Sequence, residues 1–239
     1  MKSNYFSQYN QDKFLNEVVF NNKKNGFFID IGAHDGTLFS NSLFFEKFND
    51  WTGICVEPNP SVFSKLISNR TSINLNVCIG NENKKVKFTQ IEGYSEMLSG
   101  ITEKYDERHI QRINNDILVK GGNKSEIEVD MISLDAVEGI KNRKIDFISI
   151  DTEGNEFDIV SSVNFGVLDI KSLVIENNYM DGRIEEYLNS FGFELIYKLD
   201  CDEVFVNKKY FSLGISTRIL FWKIKSTLKR VSRKLGKNK

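Results

Sequence analysis

Short apolar runs rich in Ile, Val and Phe alternate along this chain with segments of helical periodicity, and that rhythm constrains the architecture more than any other feature. FFIDI (27–31) precedes SNSLFFEKF, GICVE (53–57) precedes NPSVFSKLISNR, and INLNVCI spans 73–79. IDFISID (145–151) then precedes EFDIVSSV, SLVIE (172–176) precedes IEEYLNSF, and FELIYKL and EVFVN close the series. Strand, helix, strand in this order predicts an α/β, doubly wound, mostly parallel sheet covered on both faces, and FELIYKLDCDEVFVN reads as an antiparallel hairpin at one edge. Local punctuation agrees: Asn59 before Pro60 suits a helix N-cap and first turn, and Gly192 suits a helix C-cap before a strand.

No Pro/Gly/Ser linker divides the 239 residues, so one domain is expected over residues 1–217. About 65 residues between the third and fourth runs exceed a single crossover, and residues of about 81–132 are expected to form a lid or substrate wall. Within them, His109 in DERHIQRINN is expected on an exposed helix face. The N-terminus carries no apolar run of signal-peptide length and nowhere do 18 apolar residues occur together, so a cytoplasmic protein is expected. Cys55, Cys78 and Cys201 lack C-x-x-C spacing and read as buried thiols rather than a zinc site.

The stretch FFIDIGAHDG turns on Gly32 and Gly36 after an apolar strand, where a phosphate is often held. Here the turn carries acids instead. Asp30, Asp35, Glu57, Asp151, Glu153 and Glu176 all fall at or just beyond strand ends, where a doubly wound sheet binds its ligand. Such a rim repels a pyrophosphate, and G-A-H-D-G lacks the inner glycine of the dinucleotide fingerprint. A cationic ligand with an amino group and a ribose fits better, and S-adenosylmethionine is one. Gly32, Ala33, His34 and Gly36 would then frame the methionine portion, and Asp30 would accept from its ammonium group. Glu57, with Pro58 beside it, would take the ribose hydroxyls, and Asn81 has the donor and acceptor to read the adenine edge.

Through FIDIGAHDG, GICVEPNP, SEMLSG and above all IDFISIDTEGNEFDIV, the chain resembles the FkbM family of class I methyltransferases, over roughly residues 5 to 207. The resemblance implies a Rossmann-like seven-stranded sheet and an S-adenosylmethionine-dependent O-methyltransferase acting on a hydroxyl of a sugar, a glycan or a related natural product. Methyl transfer to an alcohol requires in-line geometry and removal of the hydroxyl proton. Asp151 is the first candidate for the base, with Glu153 and Glu176 completing the catalytic set. Asp151, Glu176 and Asn177 could also offer oxygen ligands to magnesium; a hydrogen-bonded rim is the simpler reading, and no metal is assigned. The enzyme rival is an NAD-dependent oxidoreductase of the same topology, and a non-catalytic binding module keeping the fold is the rival from another class. The DTEG turn lacks the Pro-Pro-aromatic run that stacks a flat base in amino-nucleobase methyltransferases.

Residues 218–239 hold nine Lys/Arg and no acid, leaving 23 basic against 33 acidic residues before them. Phe221, Ile224, Leu228, Val231 and Leu235 recur at three- and four-residue steps with Trp222 beside them, which predicts a basic amphipathic helix. It could meet the inner face of a membrane, a partner protein or its own acidic body; nucleic acid is not expected, since no comparable basic stripe occurs elsewhere.

Overall fold

The computed structural model describes residues 5–236, with residues 229–231 and 233–236 described in backbone only. Seven strands form the main sheet: β1 (Phe27–Ile31), β2 (Thr52–Val56), β3 (Ile73–Leu75), β8 (Lys144–Ile150), β9 (Asp169–Glu176), β10 (Phe193–Leu199) and β11 (Asp202–Asn207). Their order is β10-β11-β9-β8-β1-β2-β3, all pairings parallel except those of β11, which runs against both neighbours. The closing hairpin therefore folds back so that its second strand inserts beside β9, setting Asp202 opposite Glu176.

Alternation along β1 shows why both faces are covered. Phe27, Ile29 and Ile31 enter one apolar cluster with Ile159 and Val160 of α5 (Glu156–Ser162) and Ile184 and Leu188 of α6 (Gly182–Ser190). Phe28 enters the other, with Phe14 of α1 (Gln11–Phe14), Phe45 of α2 (Leu43–Asn49) and Leu66 of α3 (Pro60–Asn69). The period of two delivers alternate residues to opposite helix layers, and Asp30 falls on the Phe28 face. Phe20, Phe45, Trp51 and Phe147 interlock beneath that layer, with Phe45 and Trp51 ring centroids 4.6 Å apart. Asn59 caps α3 by accepting from Ser61 N, with Pro60 in the first turn, and Gly192 follows α6 at φ +81°.

The run 73–79 is not one strand. Asn76 donates to the carbonyls of Glu57 and Pro58 at 2.8 and 3.0 Å, and beyond it the chain leaves the main sheet as β4 (Cys78–Gly80). With β5 (Lys84–Glu92), β6 (Gly100–Ile101) and β7 (Asn123–Ser133) it forms a second sheet of order β4-β7-β5-β6. That sheet has its own small core around Phe88, Val129 and Met131, and α4 (Glu107–Lys120) packs Ile113 against Ile91 and Leu98.

The C-terminal helix α7 (Leu213–Gly236) starts at Leu213 rather than near Arg218. Ile215 and Ile219 are buried in the second apolar cluster, Trp222 meets Phe14 edge-on at 5.2 Å, and Arg218 Nε donates to Val18 O at 2.7 Å. Of the expected apolar stripe, the Val231 and Leu235 side chains lie outside the described residues. No helix among the described residues is long and apolar enough to cross a membrane.

Candidate active site

The turn after β1 and the turn after β8 are fastened together. Gly32 has φ +86°, and a Cβ there would lie 1.6 Å from the carbonyl oxygen of Asp151, so only glycine allows the two backbones to approach. Asp151 N donates to Ile31 O at 3.0 Å, while Gly32 N and Ala33 N both donate to Val56 O at 3.0 Å. Strand ends β1, β2 and β8 thus converge on one point.

Glu57 stands just beyond β2 and is buried. Its two carboxylate oxygens accept from the main chain, Oε2 from His34 N at 3.0 Å and Oε1 from Asn59 N at 2.8 Å. Burial nevertheless pushes its pKa up to about 7, the main-chain donors opposing the shift. His34 adopts φ +50°, and burial lowers its pKa. The neutral ring holds Nε2 at 3.3 Å from Glu96 Oε1 of the inserted segment, without an aligned hydrogen bond at either nitrogen.

Asp30 is buried on the helix-facing side of β1, and burial raises its pKa. The Arg70 charge and hydrogen bonds from Ser42 and Ser149 act against that shift. Ser42 Oγ donates to Asp30 Oδ2, and Arg70 Nη2 donates to Ser42 Oγ at 2.9 Å. Arg70 itself is buried at the end of α3 and pairs with Glu46 Oε2 at 3.0 Å. Asn41 Nδ2 donates to Ser149 Oγ at 3.0 Å, whereas its buried Oδ1 has no partner. Asp30, Ala33, Asn41 and Ser149 line one small hollow, which shares Gly32, His34 and Asp151 with a larger cleft containing Glu57 and Pro58.

The far end of that cleft is apolar, walled by Cys78, Ile79, Phe88 and Ile101. Asn81 is exposed and does not line it. The structure does not bring Asn81 together with Glu57 and Pro58, because β4 carries the chain into the second sheet instead of ending at the main sheet's rim. Gly36 also stands apart from the other cofactor candidates. It lines neither hollow, and its missing Cβ makes room for Leu66 and Arg70 of the α3 end, to which its carbonyl is hydrogen-bonded.

Asp151, Glu153 and Glu176 offer carboxylate oxygens that all lie within 4.8 Å of one another. Burial raises all three, Asp151 well above its usual range, Glu153 to about 8 and Glu176 to about 7; negative charge adds to the shift, from Glu176 and Glu153 on Asp151, from Glu176 on Glu153, and from Glu156 and Asp202 on Glu176. Their turn is held by Glu156, whose Oε1 accepts from Thr152 N, Thr152 Oγ1 and Gly154 N, each at 3.0 Å. Glu153 sits at φ +56°, uncommon for a residue with a Cβ, with Arg112 Nη1 at 3.4 Å and His109 Nδ1 at 3.7 Å.

His109 is not on an exposed face. It is buried, stacked on Tyr105 at 4.4 Å, with Nε2 3.3 Å from Leu98 O. A single histidine inside the polar helix sequence DERHIQRINN shows no signal of burial, because its covering comes from the segment at Leu98–Tyr105. Behind Glu153 opens a second cavity of about 410 Å³. Tyr105, Phe157, Tyr179, Asn177 and Arg183 are among its walls, Glu176 belongs to it, and Glu153 lines both this cavity and the cleft.

A seven-stranded sheet with one reversed strand, acids at the strand ends and a glycine turn beneath them define a class I methyltransferase of Rossmann-like fold. The profile of the Methyltransferase FkbM domain matches residues 30–195, and the chain belongs to that family of S-adenosylmethionine-dependent methyltransferases. Among solved structures it is similar to a methyltransferase from Pyrococcus furiosus, at 15% identity over 82% of this chain and 80% of that one, with a TM-score of 0.41. It is also similar to precorrin-6y C5,15-methyltransferase from Geobacter metallireducens, at 14% identity over 86% and 90% of the two chains, with a TM-score of 0.40. No curated protein matches at a significant level. The family assignment rests on the profile match.

The residues present fit the cofactor. The Gly32 cradle admits close main-chain approach, the unpartnered Asn41 Oδ1 lies beside Asp30 where an ammonium donor would be received, and Glu57 keeps lone pairs for hydroxyl donors.

Proposed function

We propose that this chain methylates a hydroxyl group of a sugar or glycan, with Glu153 as the proton acceptor. One observation carries the reading: Glu153 lines both the cofactor cleft and the second cavity, so its carboxylate faces the place where a methyl donor and an acceptor would meet. S-adenosylmethionine supplies an electrophilic methyl group on a sulfonium. The chain's own part is to orient the acceptor and remove its proton. A carboxylate whose pKa has been pushed up to about 8 is a far stronger base than an exposed one, and proton acceptance is most effective near the working pH. Burial holds that value high, with the negative charge of Glu176 and Glu156 adding to it against the Arg112 cation. Asp151, the first choice on position alone, lines the cleft but not the second cavity.

A sugar acceptor is supported by the walls of that cavity, where Tyr105, Tyr179 and Phe157 supply aromatic surface, backed by His109, Arg108 and Arg183, and Asn177, Asn178 and Asp181 supply hydrogen-bonding groups. The test combines calorimetric titration with a transfer assay. S-adenosylmethionine and its demethylated product are expected to bind and NAD is not. Glu153→Gln is expected to keep donor affinity while turnover onto a glycoside acceptor falls about 100-fold. Full turnover by Glu153→Gln refutes the assigned base. Loss of activity in chelator with recovery in magnesium assigns the three carboxylates to a metal instead.

A further inference from the structure

Helix α7 has two apolar faces, and the fold uses one. Ile215, Ile219 and Trp222 recur at four- and three-residue steps and pack on the N-terminal helix and the sheet beneath. Leu220, Phe221, Ile224 and Leu228 recur on the opposite side and are 58%, 58%, 46% and 63% exposed, in line with Leu213, which is 88% exposed. At 3.6 residues per turn these five positions fall within about one third of the helix circumference, along a stripe about 22 Å long. Among the described residues Trp222 is the last apolar side chain of the docked face, and α7 runs on to Gly236 past it. In that continuation Lys223 and Lys225 are exposed, and the sequence adds Lys229, Arg230, Arg233 and Lys234, with no acid from Arg218 onward.

We infer that the free face of α7 lies on the surface of an anionic lipid bilayer, with Phe221, Ile224 and Leu228 entering the headgroup–acyl boundary and the flanking Lys/Arg meeting the headgroups. Charge complementarity selects this occupant. A helix with basic residues of one sign on both flanks of an aliphatic-aromatic stripe matches a uniformly negative, fluid apolar surface, and each such residue near the bilayer adds attraction. Burial of the other face on Phe14 and Val18 fixes how the body would stand on the membrane. The inference is independent of methyl transfer, since none of these residues lines the cleft or the second cavity.

The test uses the full chain with phosphatidylcholine vesicles carrying either no charged lipid or about one third phosphatidylglycerol. Sedimentation with the anionic vesicles only is expected, weakening at least about tenfold between 0.1 and 0.5 M salt as the charge attraction is screened. The combined substitution Phe221→Ser, Ile224→Ser, Leu228→Ser is expected to reduce vesicle partitioning at least about tenfold with the melting temperature unchanged, because those side chains are already in solvent. The proposal is overturned if the full chain stays in the supernatant with anionic vesicles, or if the triple variant sediments like its parent. It is overturned equally if light scattering shows a dimer that the triple variant converts to monomer while neither form binds vesicles, since the stripe then belongs to a second copy or to a protein partner.

Discussion

Glu57 illustrates how one side chain serves fold and site together. Because it accepts from His34 N and Asn59 N, Glu57→Ala leaves two main-chain donors to find other partners, and it removes the carboxylate that we propose for the ribose hydroxyls. Calorimetry is expected to show donor affinity weakened by about 1–3 kcal/mol, and thermal melting a loss of similar size. Unchanged affinity in a folded variant would remove Glu57 from the site. Its place at the end of the second strand, on the cleft, was legible from the run GICVE. Asn81 was not legible, because its distance from the cleft depends on where the chain crosses to another sheet. The direction of burial of His109 was equally hidden, as the residues covering it lie in a separate turn. Arg70 reads in sequence as an ordinary helix-terminal cation, yet it is buried and steadies Asp30 through Ser42. Arg70→Met is therefore expected to destabilise the protein by roughly 1–3 kcal/mol, because the Gly36 carbonyl and the Ser42 hydroxyl lose a donor while Glu46 keeps Thr71 and Ser72, and to weaken donor binding without touching the donor. Melting and calorimetry measured on the same variant check both outcomes.

At the scale of elements, the alternation of apolar runs and helical patterns located all seven strands of the main sheet, and helix caps such as Asn59–Pro60 set boundaries that hold. Those signals are local, and the structure obeys them in the parallel strands and in the antiparallel closing hairpin alike. INLNVCI broke the pattern because its halves pair with β2 and β7, partners far apart in sequence, and the break sits at Asn76, whose amide turns back to Glu57. The junction of β1 with β8 makes the sharpest prediction at this scale. Gly32→Ala requires a left-handed φ of a residue with a Cβ and sets that atom against the Asp151 carbonyl, so the two turns must part. A drop of melting temperature by at least about 5 °C is expected, with loss of both donor binding and turnover. A variant that melts normally and binds the donor would show the two turns to be independent.

Across the whole molecule, carboxylates are withdrawn from water on one rim, and this gives stability a pH dependence whose sign is fixed. Glu57, Glu153 and Glu176 titrate near 7, 8 and 7 in the folded chain, above the ordinary glutamate value. Their contribution is complete below the unfolded value near 4.3 and is lost as pH rises through 7 to 8. His34 and His109, whose pKa values are lowered by burial, act in the opposite sense up to about pH 6.5. The melting temperature of the ligand-free protein is therefore expected to fall between pH 6.5 and 8.5, and Glu176→Gln to flatten that fall; a rising profile would contradict the protonation pattern described here. The second sheet carries a consequence of another kind. Its entering strand β4 and its leaving strand β7 are direct parallel neighbours, Cys78 beside Met131 and Ile79 beside Ile132, so the inserted chain begins and ends at one gate. A segment with that geometry can be exchanged as a cassette while the strands of the main sheet stay in register, and because Phe88 and Ile101 wall the cleft and Tyr105 and His109 wall the second cavity, one exchange would reshape both hollows together.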